Sequence, residues 1–591
     1  MRRSARTLAV AAMAALSLTV AACGSSSSDN GNKNSGNKTG NQQSGTPKSG
    51  GKLTVLWSND VDYIDCGATY YQMGSFLCYS TQRPLYNYKP DDATTLVPDS
   101  AEAAPEVSAD AKTITIKIRQ GVKFSPPVNR AITSKDVKYA IERGFFNTVN
   151  NGYAGAYFGD IEGAKVGAKP GTTIKGLETP DDQTLVIHLS KPTAGVLAAG
   201  GLAMPLTAPV PEEYAAKFDK ENPSTYGDNQ VSTGPYMIEN NAAGKAIGYQ
   251  PGKRIHLVRN PSWDKSTDFK PAYLDEIDNL EGNDDTGVAS RQILTGKSMI
   301  NGDFSPPPEA LKQASTQMKD QLQLVPSGGG RWISLNMKTK PFDDINVRKA
   351  VIAGFDRNAL RLARGGALIG DIPTHYIPPG MAGFDQSGGL KGFGLDFMNT
   401  TGAPNPAVAS EYFKKAGMAS GKYEGKDELL MVGDNSGVAT KVAELAKTNF
   451  EQLGFKVKLR LVEHNVMYTK YCNVPSANVT VCPNVGWLKD FADAQTLLDP
   501  TFNGKNIIPA NNSNWSLLND PAINDAMAKA ELLAKPEERA TAWANIDKMI
   551  SEQAPAIPYV WDKNPEIRSA NVNGVATLNF GLWDIAWTSL K

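Results

Sequence analysis

Histidine is scarce in this chain. His188, His256, His375 and His464 are the 4 present among 591 residues, and none pairs with another at i,i+4, so the H-E-x-x-H zinc helix is excluded. There is no G-x-S-x-G nucleophile elbow and no Walker phosphate loop. Gly328-Gly329-Gly330 runs into Arg331, Trp332 and a strand-like stretch, the wrong order for a phosphate-binding turn that opens a helix. A flexible connection is expected there instead. Charge of either sign in excess is also lacking, since 61 Lys and Arg balance 61 Asp and Glu, and nothing favours a nucleic-acid partner. Outside residues 8–20 no apolar run approaches membrane length. Carboxylates three apart, such as Asp490 and Asp493, are too common to signal acid–base catalysis by themselves.

What is present bounds the chain differently. An apolar content of 41% with 21% charge supports two or three domains with real cores. Arg2, Arg3 and Arg6 precede an apolar stretch from Leu8 to Val20, which reads as a secretory signal, and Arg2-Arg3 also fits a twin-arginine pattern. The signal ends in Val20-Ala21-Ala22-Cys23, similar to a bacterial lipobox, so Cys23 is the expected lipidation site. Residues 24–50 are Ser, Asn, Gly and Lys with little that is apolar, a flexible tether with a reach on the order of 30 Å. Two acyl chains on Cys23 would anchor the protein stably, where one binds marginally.

Four cysteines remain, in two local pairs. Of the possible connectivities, Cys66 with Cys78 and Cys472 with Cys482 is expected, each closing a short loop worth roughly 3 kcal/mol. A four-cysteine zinc site would need C-x-x-C spacing, which the chain does not have.

Periodicity then gives elements. Lys112 to Arg119 alternates, with Ile114, Ile116 and Ile118 on one face, and Thr184 to Leu189 repeats the pattern, so both are expected strands. Thr133-Ser134-Lys135-Asp136 matches a capping box before the apolar face of Val137, Ala140 and Ile141. Further on, Leu429–Val432, Val438–Leu453, Gly454 and the alternation of Phe455, Val457, Leu459 and Leu461 spell a strand, a helix, its C′ glycine and a second strand. Such β-α-β units build parallel sheets, which bind ligands at the carboxyl ends of their strands.

A short strand candidate, Val479 to Val481, runs toward Asn484-Val485-Gly486-Trp487-Leu488-Lys489-Asp490-Phe491-Ala492-Asp493. On residues alone this stretch has two readings. Trp487 and Phe491 could offer apolar surface, with Gly486 permitting close backbone approach and Asp490 favouring an ammonium group. Alternatively, both aromatics are core and Asp490 caps a helix starting near Phe491. Trp57, Tyr63, Tyr70 and Tyr71 form another aromatic set.

A family resemblance then enters. Leu96-Val97-Pro98-Asp99 and the run from Lys112 to Arg143 resemble the signature of family 5 extracellular solute-binding proteins of ATP-binding-cassette importers. Ser232 to Tyr236, Leu257 to Pro261, Lys270 to Ile277, Leu335-Asn336, Lys340 to Asp344, Val347 to Ala350 and Ile377 to Gly380 follow in that family's order. The resemblance spans residues 51–591. It implies an α/β, two-lobed periplasmic-binding-protein fold of type II, similar to cluster C, with the ligand enclosed at the hinge.

The implied division puts the signal at 1–23, the tether at 24–50, and the first lobe at 51–90, 200–335 and 556–591. An extra subdomain takes 91–199 and the second lobe 336–555. In peptide-binding members an Asp after G-W-x-x holds the ligand's α-ammonium, which carries to Asp490, with Gly486, Trp487 and Leu488 as neighbouring contacts. The segment containing Thr69 and Tyr70 is implied to face the ligand from the other lobe. Family members commonly read Ala-Asp-Tyr here, whereas Lys489 and Phe491 flank Asp490. Lys489 is open to solvent, to Asp493 or to a ligand carboxylate.

The implied function is a lipid-anchored, non-enzymatic receptor that captures a short peptide and delivers it to an ATP-binding-cassette permease. Alternatives are a family member with a sugar, opine or metal chelate as ligand, and, more remotely, an extracellular hydrolase. Neither a cofactor nor a resident metal is implied, and a monomer is expected.

Overall fold

The computed structural model describes residues 46–591 apart from 70, 71, 150, 436, 510, 511, 578 and 580. Cys23, Tyr70 and Tyr71 therefore lie outside the described residues. No described helix is long and apolar enough to cross a membrane.

Two six-stranded sheets dominate. The first is ordered Ile300–Asn301, Lys52–Leu56, Glu276–Leu280, Arg254–Arg259, Tyr236–Ile238, with Tyr249–Gln250 on the side. The second is ordered Gly370–Asp371, Ala556–Ile567, Leu322–Leu335, Val481–Leu488, Glu428–Asp434, Lys456–Val462. Each sheet packs its own apolar cluster. Leu53, Val55 and Ile277 sit in the first, and Ile333, Leu335, Leu429 and Ile557 in the second.

The β-α-β unit forms as its periodicity predicts. Glu428–Asp434 and Lys456–Val462 pair in parallel, the helix Gly437–Gln452 crosses between them, and Gly454 follows at φ +100°, a left-handed geometry that glycine adopts freely.

A third, four-stranded sheet contains the expected pair Thr113–Lys117 and Thr184–His188, antiparallel, with Ile114, Ile116, Leu185 and Ile187 fully buried. The helix Ser134–Gly144 packs against it. Its capping box is present, with the Asp136 carboxylate accepting from the Thr133 backbone N–H at 2.7 Å. The expected disulfides Cys66–Cys78 and Cys472–Cys482 are both formed.

Two strands, Leu322–Leu335 and Ala556–Ile567, pair along almost their whole length and belong to the second sheet. The division drawn from the family resemblance put both with the first lobe. Each instead bridges two cores: Ile333 and Ile557 are buried under the second sheet, whereas Val325 packs with Leu53 and Ile567 with Leu56 beside the first. A long strand that changes core midway has no break in its apolar pattern at the crossing, so sequence assigns it to one side arbitrarily.

Near that crossing Glu566 is 2% exposed and one carboxyl oxygen has no hydrogen-bond partner among the described residues. Burial pushes its pKa well above the ordinary value, with the Asn301 side chain opposing the rise. The folded protein thus holds a proton that the unfolded chain releases above pH 4.5, so stability falls as pH climbs through that value. Glu566→Gln should raise stability at pH 7, by up to about 3 kcal/mol, and flatten the pH slope of thermal melting between pH 5 and 8. A variant that melts lower than the wild type across that range would contradict this account.

Candidate functional site

The strand Val481–Leu488 lies between Leu322–Leu335, its antiparallel neighbour, and Glu428–Asp434, which it joins in parallel at Met431. The sequence reading ended the strand at Val481, yet pairing continues through Gly486, Trp487 and Leu488 opposite Arg331, Gly330 and Gly329. The triple-glycine run is therefore a ladder strand with a bulge. Its register against Ala556–Ile567 slips between Pro326 and Gly330, and Gly328 takes φ +72°. A Cβ at Gly329 would collide with the Leu488 side chain, and one at Gly486 would lie 2.7 Å from the Gly330 carbonyl oxygen. These glycines let two backbones and the side chains at the strand end come together.

Two adjoining cavities of about 310 and 70 Å³ open at this strand end. Both are lined by Tyr153, Leu488, Lys489 and Asp490. The larger also has Gly486, Trp487, Arg331 and Asp562 on its walls, and the smaller reaches Ser75 and Tyr79 of the helix Gln72–Thr81. The expected residues Gly486, Trp487, Leu488 and Asp490 are thus gathered around one space. Thr69 is not among them. It is 4% exposed, its hydroxyl donates to the Asp62 carboxylate, and it lines neither cavity. From this part of the chain Ser75 and Tyr79 contribute instead, six and ten residues further on.

Asp490 is half-buried and accepts a hydrogen bond from the Tyr157 hydroxyl. Burial raises its pKa to about 6, and the Tyr157 bond opposes that rise. It caps no helix, because the next one, Gln495–Phe502, begins beyond it with Ala494 at its N-cap.

Phe491 follows the blander of the two sequence readings. It is 2% exposed and belongs to the core of the third sheet, edge-on to Tyr157 at 4.9 Å between ring centroids. Trp487 is half-buried, with its indole N–H donating to the Thr496 carbonyl at 2.8 Å. Leu488 is 41% exposed.

Lys489 does not pair with Asp493. That carboxylate is taken by the buried Arg539 at 2.8 and 3.0 Å. The Lys489 ammonium donates to the Gly380 carbonyl at 3.0 Å, and burial lowers its pKa to about 7. On the facing strand Arg331 has its guanidinium 2.9 Å from Asp562, whose charge pushes the arginine pKa up. Sequence reasoning missed Tyr153, Tyr157, Arg331 and Asp562. No local pattern marks them, since each reaches the site only through the fold.

Residues 95–508 match the family model for bacterial extracellular solute-binding proteins, family 5, middle. The chain belongs to this family. Among the relatives of this solute-binding protein is the oligopeptide-binding protein OppA of Bacillus subtilis (strain 168), 25% identical over 481 residues and covering 80% of each chain. The dipeptide-binding protein of Pseudomonas aeruginosa (strain PAO1) is 24% identical over 495 residues, covering 81% of this chain and 84% of that protein.

Among solved structures, clavulanic acid biosynthesis oligopeptide binding protein 2 superposes with a TM-score of 0.80 at 25% identity, covering 92% of this chain and 96% of that one. The unliganded open form of the murein tripeptide-binding protein MppA gives 0.71 at 19% identity over 91% of this chain and 97% of that one, a likeness of fold. The two-lobed type II periplasmic-binding-protein fold is thereby established, and these relatives are binding proteins.

Proposed function

We propose that this solute-binding protein captures a short peptide in the cleft at the end of Val481–Leu488 and hands it to an ATP-binding-cassette permease. Cys23 anchors it to the membrane and residues 24–50 tether it. Asp490 carries the reading. A carboxylate at a strand end, half-buried on the wall of a cavity and held by a neutral hydroxyl, gains most from a cationic hydrogen-bond donor such as an α-ammonium. Gly486, Trp487 and Leu488 form the adjoining wall, and peptide backbone can pair beside the exposed Leu488. Ligand binding favours the state in which the bodies around the cleft close, and the permease reads that state. The oligopeptide- and dipeptide-binding relatives support a peptide ligand.

Mass spectrometry of compounds that co-purify with the mature protein, followed by titration calorimetry with di- to hexapeptides, tests the reading. Recovered peptides that rebind with measurable heat are the expected result. Recovery of non-peptide compounds alone, with no heat from any peptide, would overturn it.

A further inference from the structure

Arg331 shares the larger cavity with Asp490, and the fold makes room for its length. It pairs with Gly486 in the ladder, and a Cβ at Gly486 would sit 2.9 Å from the Arg331 Cγ. The glycine thus lets the arginine stem lie across the neighbouring strand. At one edge the guanidinium is held by Asp562, with Nε 2.9 Å from one carboxylate oxygen, and Arg364 stands 3.7 Å from the other oxygen.

Two guanidiniums against one carboxylate leave this trio with one positive charge in excess. An arginine also carries five N–H donors in a planar fork, of which a bidentate carboxylate takes two. Arg331 can therefore hold Asp562 and a second carboxylate at once.

Its distance from Asp490 follows from the ladder. Gly486, opposite Arg331, lies four residues before Asp490. The strand runs through Leu488, and the Lys489 backbone N–H extends it by donating to the Gly328 carbonyl at 3.1 Å. At about 3.3 Å per residue the interval is roughly 13 Å, the span of an extended peptide of about three or four residues. An ammonium on Asp490 brings the carboxyl end of such a peptide to Arg331.

We propose that Arg331 is a second anchor of the cleft, binding a ligand carboxylate about three or four residues from the ammonium that Asp490 holds. This rests on the peptide reading above. Two sources provide such a carboxylate: the C-terminus of a tri- or tetrapeptide, or an acidic side chain at the same distance in a longer one.

Calorimetry on the mature wild-type protein, Arg331→Met and Asp562→Asn separates them with Ala-Ala-Ala, Ala-Ala-Ala-Ala, the C-terminal amide of each, and Ala-Ala-Glu-Ala amide. Wild type should bind at least one carboxylate-bearing peptide about tenfold more tightly than Ala-Ala-Ala-Ala amide. Preference for a free peptide assigns the C-terminus, and preference for Ala-Ala-Glu-Ala amide assigns the side chain. Arg331→Met should bring the favoured peptide within about twofold of Ala-Ala-Ala-Ala amide. Asp562→Asn removes the competing charge while keeping the shape, and should widen the preference. If wild type shows no preference, or the preference survives Arg331→Met, the inference fails while peptide capture stands. It fails alone, too, if other peptides bind and none of these does. No heat from any di- to hexapeptide would sink both. Circular dichroism confirms that each variant is folded. If Arg331→Met is not, Asp562→Asn keeps the test usable, since an unchanged or narrower preference there contradicts the inference.

Discussion

Asp490→Asn is expected to weaken binding of a peptide with a free amino terminus by about 10- to 100-fold, the 1.5–3 kcal/mol of a charge-assisted hydrogen bond. The same peptide N-acetylated should change by less than about threefold, because it brings no positive charge. The substitution keeps side-chain volume and leaves a group that can still accept from Tyr157, so geometry is preserved while charge is removed.

Stability should move the other way. A carboxylate whose folded pKa is raised to about 6 opposes folding once pH exceeds its unfolded value, so Asp490→Asn should melt slightly higher at pH 7. Binding to wild type should also fall below pH 6, by about tenfold at pH 5, as protons compete with the ligand for the carboxylate. Calorimetry at pH 5 and 7 reads both effects. Equal losses for free and acetylated peptides would make Asp490 a structural residue.

Arg143→Met is expected to destabilise the protein by about 3–5 kcal/mol, the cost of leaving buried charges unpaired. The Arg143 side chain is 1% exposed and bonds to Asp219 at 2.7 and 2.8 Å and to Asp65 at 2.7 and 3.2 Å. It joins the helix Ser134–Gly144 to the segment beside Cys66 and to Asp219. Tyr139 and Ser224 complete the bonding of Asp219, so methionine would strand two acids that the fold has already dried.

Burial raises the pKa of Asp219, but the Arg143 and Ser224 bonds overcome it and hold the group below its ordinary value. Its contribution is therefore present above about pH 4 and lost as pH falls through the folded pKa. Accordingly, the gap between variant and wild type should be full at pH 7 and shrink toward pH 3, as followed by urea unfolding. Adding Asp65→Asn and Asp219→Asn to the variant should restore much of the loss. A triple variant as unstable as the single one would place the cost in lost packing and not in stranded charge.

The contrast between these two sites tracks what sequence can express. Thr133 with Asp136, the isoleucine alternation at 114–118, and the strand–helix–Gly454–strand order are local patterns, and the fold reproduces them. Asp490 was identifiable because its neighbours form a short motif at a strand end. Tyr157, 333 positions away, was not, since a tyrosine in a helix of four residues carries no signal of where its hydroxyl ends up.

The glycine run misled for a related reason. Three glycines suggest a loose connection unless their partner strand is known, and that partner lies more than 150 residues further on, at Gly486 to Leu488. Thr69 was carried over by family position, and a helix that begins three residues later turns Ser75 and Tyr79 to the cleft in its place.

Phe491 gives the binding segment a mechanical role. The ring is lodged in the core of the third sheet while its chain neighbours Lys489 and Asp490 line the cavity, so it acts as a latch between the strand end and the body that carries Tyr157. Any excursion that parts them must draw the ring into water, at about 1.5–3 kcal/mol. That lowers the population of the parted form by roughly 10- to 100-fold, before any ligand arrives. Burial of Phe491 thus ties the strand end carrying Asp490 to the core of the third sheet.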